Sequence, residues 1–146
     1  MDTIKTIFTN KVFFAALIAW FGAQGFKVLY TAFKFKRLDL ERIMGSGGMP
    51  SSHTASIVAA TFAIGNHYGF DHPSFGLGVV VAFIIMYDAA GVRMAAGKQA
   101  KVIKMILKEL GEHRFKIDEE LKELLGHTYL EVFVGMVLGI IIGFLV

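Results

Sequence analysis

The chain contains no cysteine and few charged residues for its length. Without cysteine there are no disulfide bonds and no thiolate chemistry. The absence of cysteine does not indicate in which cellular compartment the protein resides. Charged residues make up 18% of the 146 positions and hydrophobic residues 55%, and the mean hydropathy is +0.58. This composition is too apolar for an ordinary soluble domain and indicates an integral membrane protein, for which we expect no nucleic-acid partner.

The first ten residues lack the features of a cleavable signal peptide. No basic region leads into a short apolar core with an Ala-x-Ala exit, and the apolar run that follows is too long. We therefore expect the first apolar segment to remain in the protein.

Four apolar runs have about the length needed to cross a bilayer. They cover residues 12–33, 51–68, 75–93 and 127–146. The second run is the most polar and would have to be largely surrounded by protein. Residues 97–125 are charged, with apolar residues at helical spacing, which predicts two amphipathic helices on the membrane surface or in water. The predicted fold class is an all-α integral membrane helical bundle, with residues 1–146 as a single membrane domain.

Basic residues are distributed unequally between the segments that join these spans. Two precede the first span, four lie in the first loop, none in the second and seven in the third. Because basic loops tend to stay in the cytoplasm, the first and third loops should be cytoplasmic and both termini external. We predict a multi-pass protein of the plasma membrane.

This topology brings most ionisable residues of the spans to one membrane face. They are Lys27, His53, Asp88, Arg93, His127 and Glu131. Ionisable groups within spans are costly and are candidates for function by default. Their common depth predicts one polar site just below the cytoplasmic surface. Asp88 could pair with Arg93 or orient His53, and the sequence leaves both alternatives open.

The residue types in this cluster suit a phosphate group. His127 and Glu131 are four residues apart, so the carboxylate can hydrogen-bond one imidazole nitrogen and leave the other as a base or nucleophile. The planar guanidinium of Arg93 offers hydrogen-bond donors in a fixed geometry that suits phosphate oxygens. Further amide and hydroxyl donors come from one short stretch, at Gly47, Gly48, Ser51 and Ser52. Two histidines with different roles suggest phosphoryl transfer.

Three motifs in this order resemble the divergent branch of the type-2 phosphatidic acid phosphatase superfamily. They are Gly-Gly-Met-Pro-Ser-Ser-His (47–53), Tyr-Asp-Ala-Ala-Gly-Val-Arg (87–93) and Leu-Gly-His-Thr-Tyr-Leu-Glu-Val (125–132). The resemblance implies a membrane phosphatase that hydrolyses a lipid or isoprenoid phosphate monoester or diphosphate through a phosphohistidine. It also implies that no metal or other cofactor is needed.

The resemblance further implies a role for each residue of the cluster. His127 would be the nucleophile, with Glu131 as its orienting acid in place of the usual Asp. His53 would be the general acid that protonates the leaving group. The phosphate would be held by Arg93, Lys27 and Ser52.

Two departures from the family pattern favour an alternative function. Ser52 stands where the wider superfamily has Gly, and the charged segment separates Arg93 from His127. The alternative is a non-catalytic lipid-phosphate binding protein or transporter that uses the same site. A third hypothesis is a metal site, which ranks last because Arg93 would repel a cation. Its ligands would be His53, Asp88, His127 and Glu131.

Gly135, Gly139 and Gly143 form a ridge of small residues on the last span. Such a ridge can be a homodimer seam or a site of close packing within one bundle. We favour packing within the bundle, because a small four-span domain needs close helix contacts.

Overall fold

The computed structural model describes residues 6–7, 9–35, 48–109 and 126–146, and within these ranges no β-strand occurs. Five helices follow one another along them: α1 (Lys11–Phe35), α2 (Ser52–Tyr68), α3 (Pro73–Ala90), α4 (Val92–Glu109) and α5 (Tyr129–Leu145). Two described stretches, Lys11–Phe33 and Pro73–Ile106, are long and apolar enough to cross a membrane, and Tyr129–Leu145 is a shorter apolar helix. The predicted all-α fold class is confirmed.

Local sequence signals explain where three of the helices begin. Ser51 caps α2, since its hydroxyl accepts a hydrogen bond from the Thr54 amide. His72 caps α3 in the same way, with Pro73 at the first helical position, where the missing N–H is harmless. Thr128 caps α5.

The third helix is shorter than the sequence pattern predicts. α3 ends at Ala90, and the Gly91 amide donates to the Tyr87 carbonyl at 2.8 Å before α4 begins at Val92. The predicted third span, to about residue 93, thus covers the end of α3 and the first two residues of α4, and the predicted amphipathic segment, from about residue 97, begins within α4. Its second half, residues 110–125, lies outside the described residues.

The polar helix α2 packs against α1, α3 and α5. Three of its hydroxyl-bearing residues, Ser52, Thr54 and Thr61, are buried. The Thr61 hydroxyl donates to the Ile57 carbonyl at 2.7 Å, which satisfies it without water. This enclosed position is the one that the polarity of the helix requires.

Alanines spaced four residues apart form the contact between α1 and α2. They are Ala15, Ala19 and Ala23 on α1 and Ala55, Ala59 and Ala63 on α2, all fully buried in one cluster. Alanine side chains let two helix backbones approach closely, which is how helices gain packing energy in a bilayer.

The glycine ridge of α5 lies against α2. A Cβ atom added at Gly135 or Gly139 would lie 2.6 Å from a backbone oxygen of α2 or its cap, and one at Gly143 would lie 2.7 Å away. The ridge is thus occupied by packing within the chain, as favoured above, and is not an exposed dimer seam.

Large apolar side chains cover the outer surfaces of α1 and α3. Examples are Leu29 and Phe33 on α1 and Leu77, Phe83 and Ile84 on α3, each 60–84% exposed. A helix that is apolar on its outer face suits a lipid environment.

Alanine substitution at two glycines tests the glycine ridge. We expect Gly139→Ala to lower stability by about 1–3 kcal/mol, because the added methyl must displace backbone of α2. Gly76→Ala is the matched control, since a Cβ there meets nothing within 4 Å. Thermal unfolding midpoints of the two purified variants in detergent provide the measurement. Equal midpoints would contradict the close α2–α5 packing.

Candidate functional site

The start of α5 is built around Thr128 and Glu131. The Glu131 amide donates to the Thr128 hydroxyl at 3.3 Å, and the Thr128 amide donates to the Glu131 carboxylate at 3.0 Å. This reciprocal pair is a capping box. The Thr-x-x-Glu spacing of a capping box was present in the sequence, although the prediction for Glu131 used its spacing from His127, its place in the polar cluster and the family resemblance. The capping box therefore fixes the position of the Glu131 carboxylate.

The same carboxylate contacts the ring of His127. Nδ1 of His127 lies 3.2 Å from Oε2 of Glu131, and the His127 side chain is only 5% exposed. The His127 amide donates to the Ala89 carbonyl at 2.9 Å, which ties this histidine to the end of α3. With Nδ1 engaged, Nε2 is the ring nitrogen left for chemistry.

Gly126 allows the loop before α5 to come this close to α4. Its φ is +108°, and a Cβ there would collide with the backbone of Arg93 and Met94. A residue with a side chain at this position would be both strained and crowded.

The cap of α2 connects this helix to α5. The Ser51 amide donates to the Glu131 carbonyl at 3.0 Å, and Thr54 donates through its hydroxyl to the Ser51 hydroxyl at 3.0 Å. Ser51 is fully buried, so the structure places this predicted phosphate ligand in the cap of α2. Gly48 lies in the bend that leads to it, with φ of +85°. Gly47 lies outside the described residues.

Lys27 is buried next to the site. Its ammonium donates to the Ser52 hydroxyl at 3.3 Å, and the two residues are 3% and 4% exposed. The charge of Lys27 also acts on Glu131 through space. Lys27 therefore contributes a positive charge from inside the bundle.

Asp88 and Arg93 form an ion pair across the break between α3 and α4. Nε of Arg93 lies 2.6 Å from Oδ2 of Asp88, and the side chains are 52% and 38% exposed. Of the two alternatives that the sequence left for Asp88, the structure has the pair with Arg93. Both charges also act on His53 through space.

A cleft of about 280 Å³ brings four of the predicted residues together. Its polar lining consists of His53, Asp88, Arg93 and His127, and the rest is Ile84, Ile85, Ala89 and Gly126. Glu131 contacts the lining through His127, whereas Lys27 and Ser52 contact each other behind it. The apolar wall could not be predicted from the sequence, because its isoleucines do not differ from the other residues of an apolar span.

The described residues give no support to the metal hypothesis. Within the ranges that the structure describes, no group of three or more His, Asp or Glu residues could hold a metal ion.

Comparison with known proteins identifies relatives of the whole chain. The model of the Divergent PAP2 family matches residues 8–142. The chain is 34% identical over 149 aligned positions to the "Uncharacterized membrane protein YuiD" of Bacillus subtilis (strain 168), with 93% of each chain covered. No solved structure matches the chain.

Two serines one turn apart on α2 test the buried Lys27 contact. We expect Ser52→Ala to lower stability by about 1–3 kcal/mol, because a buried ammonium loses its acceptor. Ser56→Ala should be neutral or slightly stabilising, since the buried Ser56 hydroxyl has no hydrogen-bond partner in the described part of the chain. Thermal unfolding in detergent compares them. Equal effects would show that the Lys27–Ser52 contact adds nothing to stability.

Proposed function

The chain belongs to the divergent PAP2 family, and on this premise we propose that it is a membrane-embedded phosphatase. Its substrate is a lipid or isoprenoid phosphate, as a monoester or a diphosphate, and the reaction passes through a phosphohistidine. The observation that carries the proposal is the 3.2 Å contact between His127 and Glu131 beside a cleft shared with His53 and Arg93.

In this mechanism neutral His127 is the nucleophile. The Glu131 carboxylate accepts a hydrogen bond from Nδ1–H, which fixes the tautomer in which Nε2 carries a lone pair. Nε2 attacks phosphorus, the bond from phosphorus to the leaving oxygen breaks, and a phosphohistidine forms. The positive charge that develops on the imidazole is stabilised by Glu131.

Cations around the cleft stabilise the charge on the phosphate. Arg93 uses Nε for Asp88 and retains its two terminal nitrogens for phosphate oxygens. Lys27 contributes positive charge behind Ser52, the proposed phosphate ligand, to whose hydroxyl it donates a hydrogen bond. Backbone amides at Gly47 and Gly48 would complete the phosphate site.

His53 is the general acid in this mechanism. It protonates the leaving oxygen in the first step. In the second step water attacks phosphorus, and His53 takes the proton of that water while the bond to Nε2 of His127 breaks. Inorganic phosphate is released and both histidines return to their starting states.

The apolar wall of the cleft favours a substrate with a hydrocarbon chain. Ile84 lines the cleft and is 63% exposed on the outer face of α3. When the phosphate of a substrate is bound in the cleft, its hydrocarbon chain would therefore lie along this face of α3, in lipid. The distribution of basic residues favours the cytoplasmic face of the plasma membrane for the site.

Phosphate release from lipid and isoprenoid phosphates tests the nucleophile. We expect His127→Ala to abolish release while the exposed control His67→Ala retains it, both in the presence of EDTA. Retention of the thermal midpoint would show that His127→Ala still folds. Normal turnover by this variant would refute the mechanism. If EDTA abolished phosphate release by the unsubstituted protein, the reaction would be metal-dependent.

A change of leaving group tests the general acid. We expect His53→Ala to slow hydrolysis of an alkyl phosphate by about 10²–10⁴-fold, because the alkoxide then leaves unprotonated. A p-nitrophenyl ester, whose leaving group needs no proton, should show a much smaller defect in the first step, measured as the burst of p-nitrophenol that precedes the attack of water. His127→Ala should be inactive on both substrates. An equal loss with both leaving groups in His53→Ala would assign this histidine another role.

The second candidate function is a non-catalytic lipid-phosphate binding protein or transporter. The Arg93–Asp88 ion pair favours it, because a guanidinium already paired at 2.6 Å has less charge to offer a transition state. Binding of lipid phosphates with no release from any substrate would support this function over the phosphatase.

A further inference from the structure

α4 has two chemically distinct faces. At 3.6 residues per turn, one face carries basic side chains and the other apolar ones. The basic residues between Val92 and Lys108 are Arg93, Lys98, Lys101, Lys104 and Lys108, and no acidic residue interrupts them. This segment is thus a basic amphipathic helix of the kind that binds membrane surfaces.

Within the described ranges, the apolar face of α4 is open. Val92, Val102, Ile103 and Ile106 are 59%, 53%, 46% and 50% exposed. A continuous apolar face in water would be unfavourable, so this face requires a cover.

The end of α3 indicates what contacts the apolar face of α4. α4 follows α3 after a single residue, Gly91. Near this junction Tyr87 is 78% exposed on α3, and exposed tyrosines at the ends of spans mark the level of the headgroups. The apolar face of α4 therefore begins at the depth where α3 leaves the hydrocarbon.

We propose that α4 lies in the membrane interface, with its apolar face in the acyl boundary and its lysines on anionic lipid headgroups. The charge of the helix selects an anionic lipid surface over a neutral one. This placement does not depend on turnover. One consequence does rest on the proposed function: Arg93, in the first turn of α4, is held with the cleft at headgroup depth.

Single-tryptophan variants in reconstituted vesicles test this placement. The chain has one tryptophan, Trp20, so Trp20→Phe provides a silent background. Into it we would introduce Ile103→Trp on the apolar face or Lys101→Trp on the basic face, roughly 160° apart around the helix. Ile106→Trp is a second reporter for the apolar face, in case Ile103→Trp fails to fold. Vesicles of phosphatidylcholine with phosphatidylglycerol would carry bromine on the acyl chains.

We expect bromine to remove most of the emission of the Ile103→Trp reporter and little of that of Lys101→Trp. Aqueous acrylamide should have the opposite preference. Quenching of Ile103→Trp by acrylamide would overturn the proposal, because the face would then be in water. Protection from both quenchers would also overturn it and would assign the cover to residues 110–125 or a second copy of the chain.

The anionic preference is tested by removing charge from the basic face. We expect Lys98→Gln with Lys101→Gln to reduce bromine quenching of Ile103→Trp in phosphatidylglycerol vesicles and to leave it unchanged in pure phosphatidylcholine. An equal effect in both lipids would overturn the preference for anionic headgroups. Phosphate release from the same vesicles is a separate readout, so a failed phosphatase mechanism and a failed interfacial helix would be distinguished.

Discussion

The close approach of α5 to α2 is the contact on which the candidate site depends. Gly135 lies under the Ser51 carbonyl, and the Ser51 amide reaches the Glu131 carbonyl at 3.0 Å. The two helix starts are therefore neighbours because no side chain separates the helices below them. His53 follows the first start and His127 precedes the second, so a packing contact between small residues brings the two histidines to one cleft.

Charges near this cleft are arranged in two layers. Inside the bundle, buried Lys27 donates to the buried Ser52 hydroxyl, and the partly buried Glu131 carboxylate contacts His127. At the opening, Arg93 and Asp88 form an ion pair that is half exposed. The inner layer positions His127, and the outer layer leaves guanidinium donors where a phosphate would enter. A phosphate site needs both, since an unpaired cation buried in an apolar bundle would be unfavourable.

The membrane supplies the remaining constraint. The outer faces of α1 and α3 are apolar, and the isoleucines of α3 continue from that surface into the cleft. A substrate with a long chain could keep the chain in lipid while its phosphate reaches the histidines. If α4 lies in the interface as proposed, Arg93 lies at the depth of the lipid headgroups. The interfacial helix and the cleft would then share this residue.

Most of what could be predicted from the sequence was local, apart from the collection of ionisable residues at one membrane face, which followed from the order of the spans. The apolar runs, the basic loops and the His127–Glu131 spacing could all be read from it, because they depend on neighbours within one or two helical turns. The break at Gly91 could not be predicted from the apolar pattern, which continues through it, so the sequence predicts Arg93 at the end of a span although it lies in the first turn of α4. The alanines of α1 and α2 were also passed over, although their spacing of four residues was visible.

The specific contacts between distant side chains depend on the tertiary structure. Lys27 and Ser52 are 25 residues apart, and their contact depends on how α1 and α2 are rotated about their axes. Spacing along a chain cannot give that rotation, because it results from how the alanine and glycine faces of α1, α2 and α5 pack together. The cleft also needs α3, which supplies its apolar wall, and the break at Gly91, across which Asp88 pairs with Arg93. The chemistry of the residues that line the cleft was already present in the sequence.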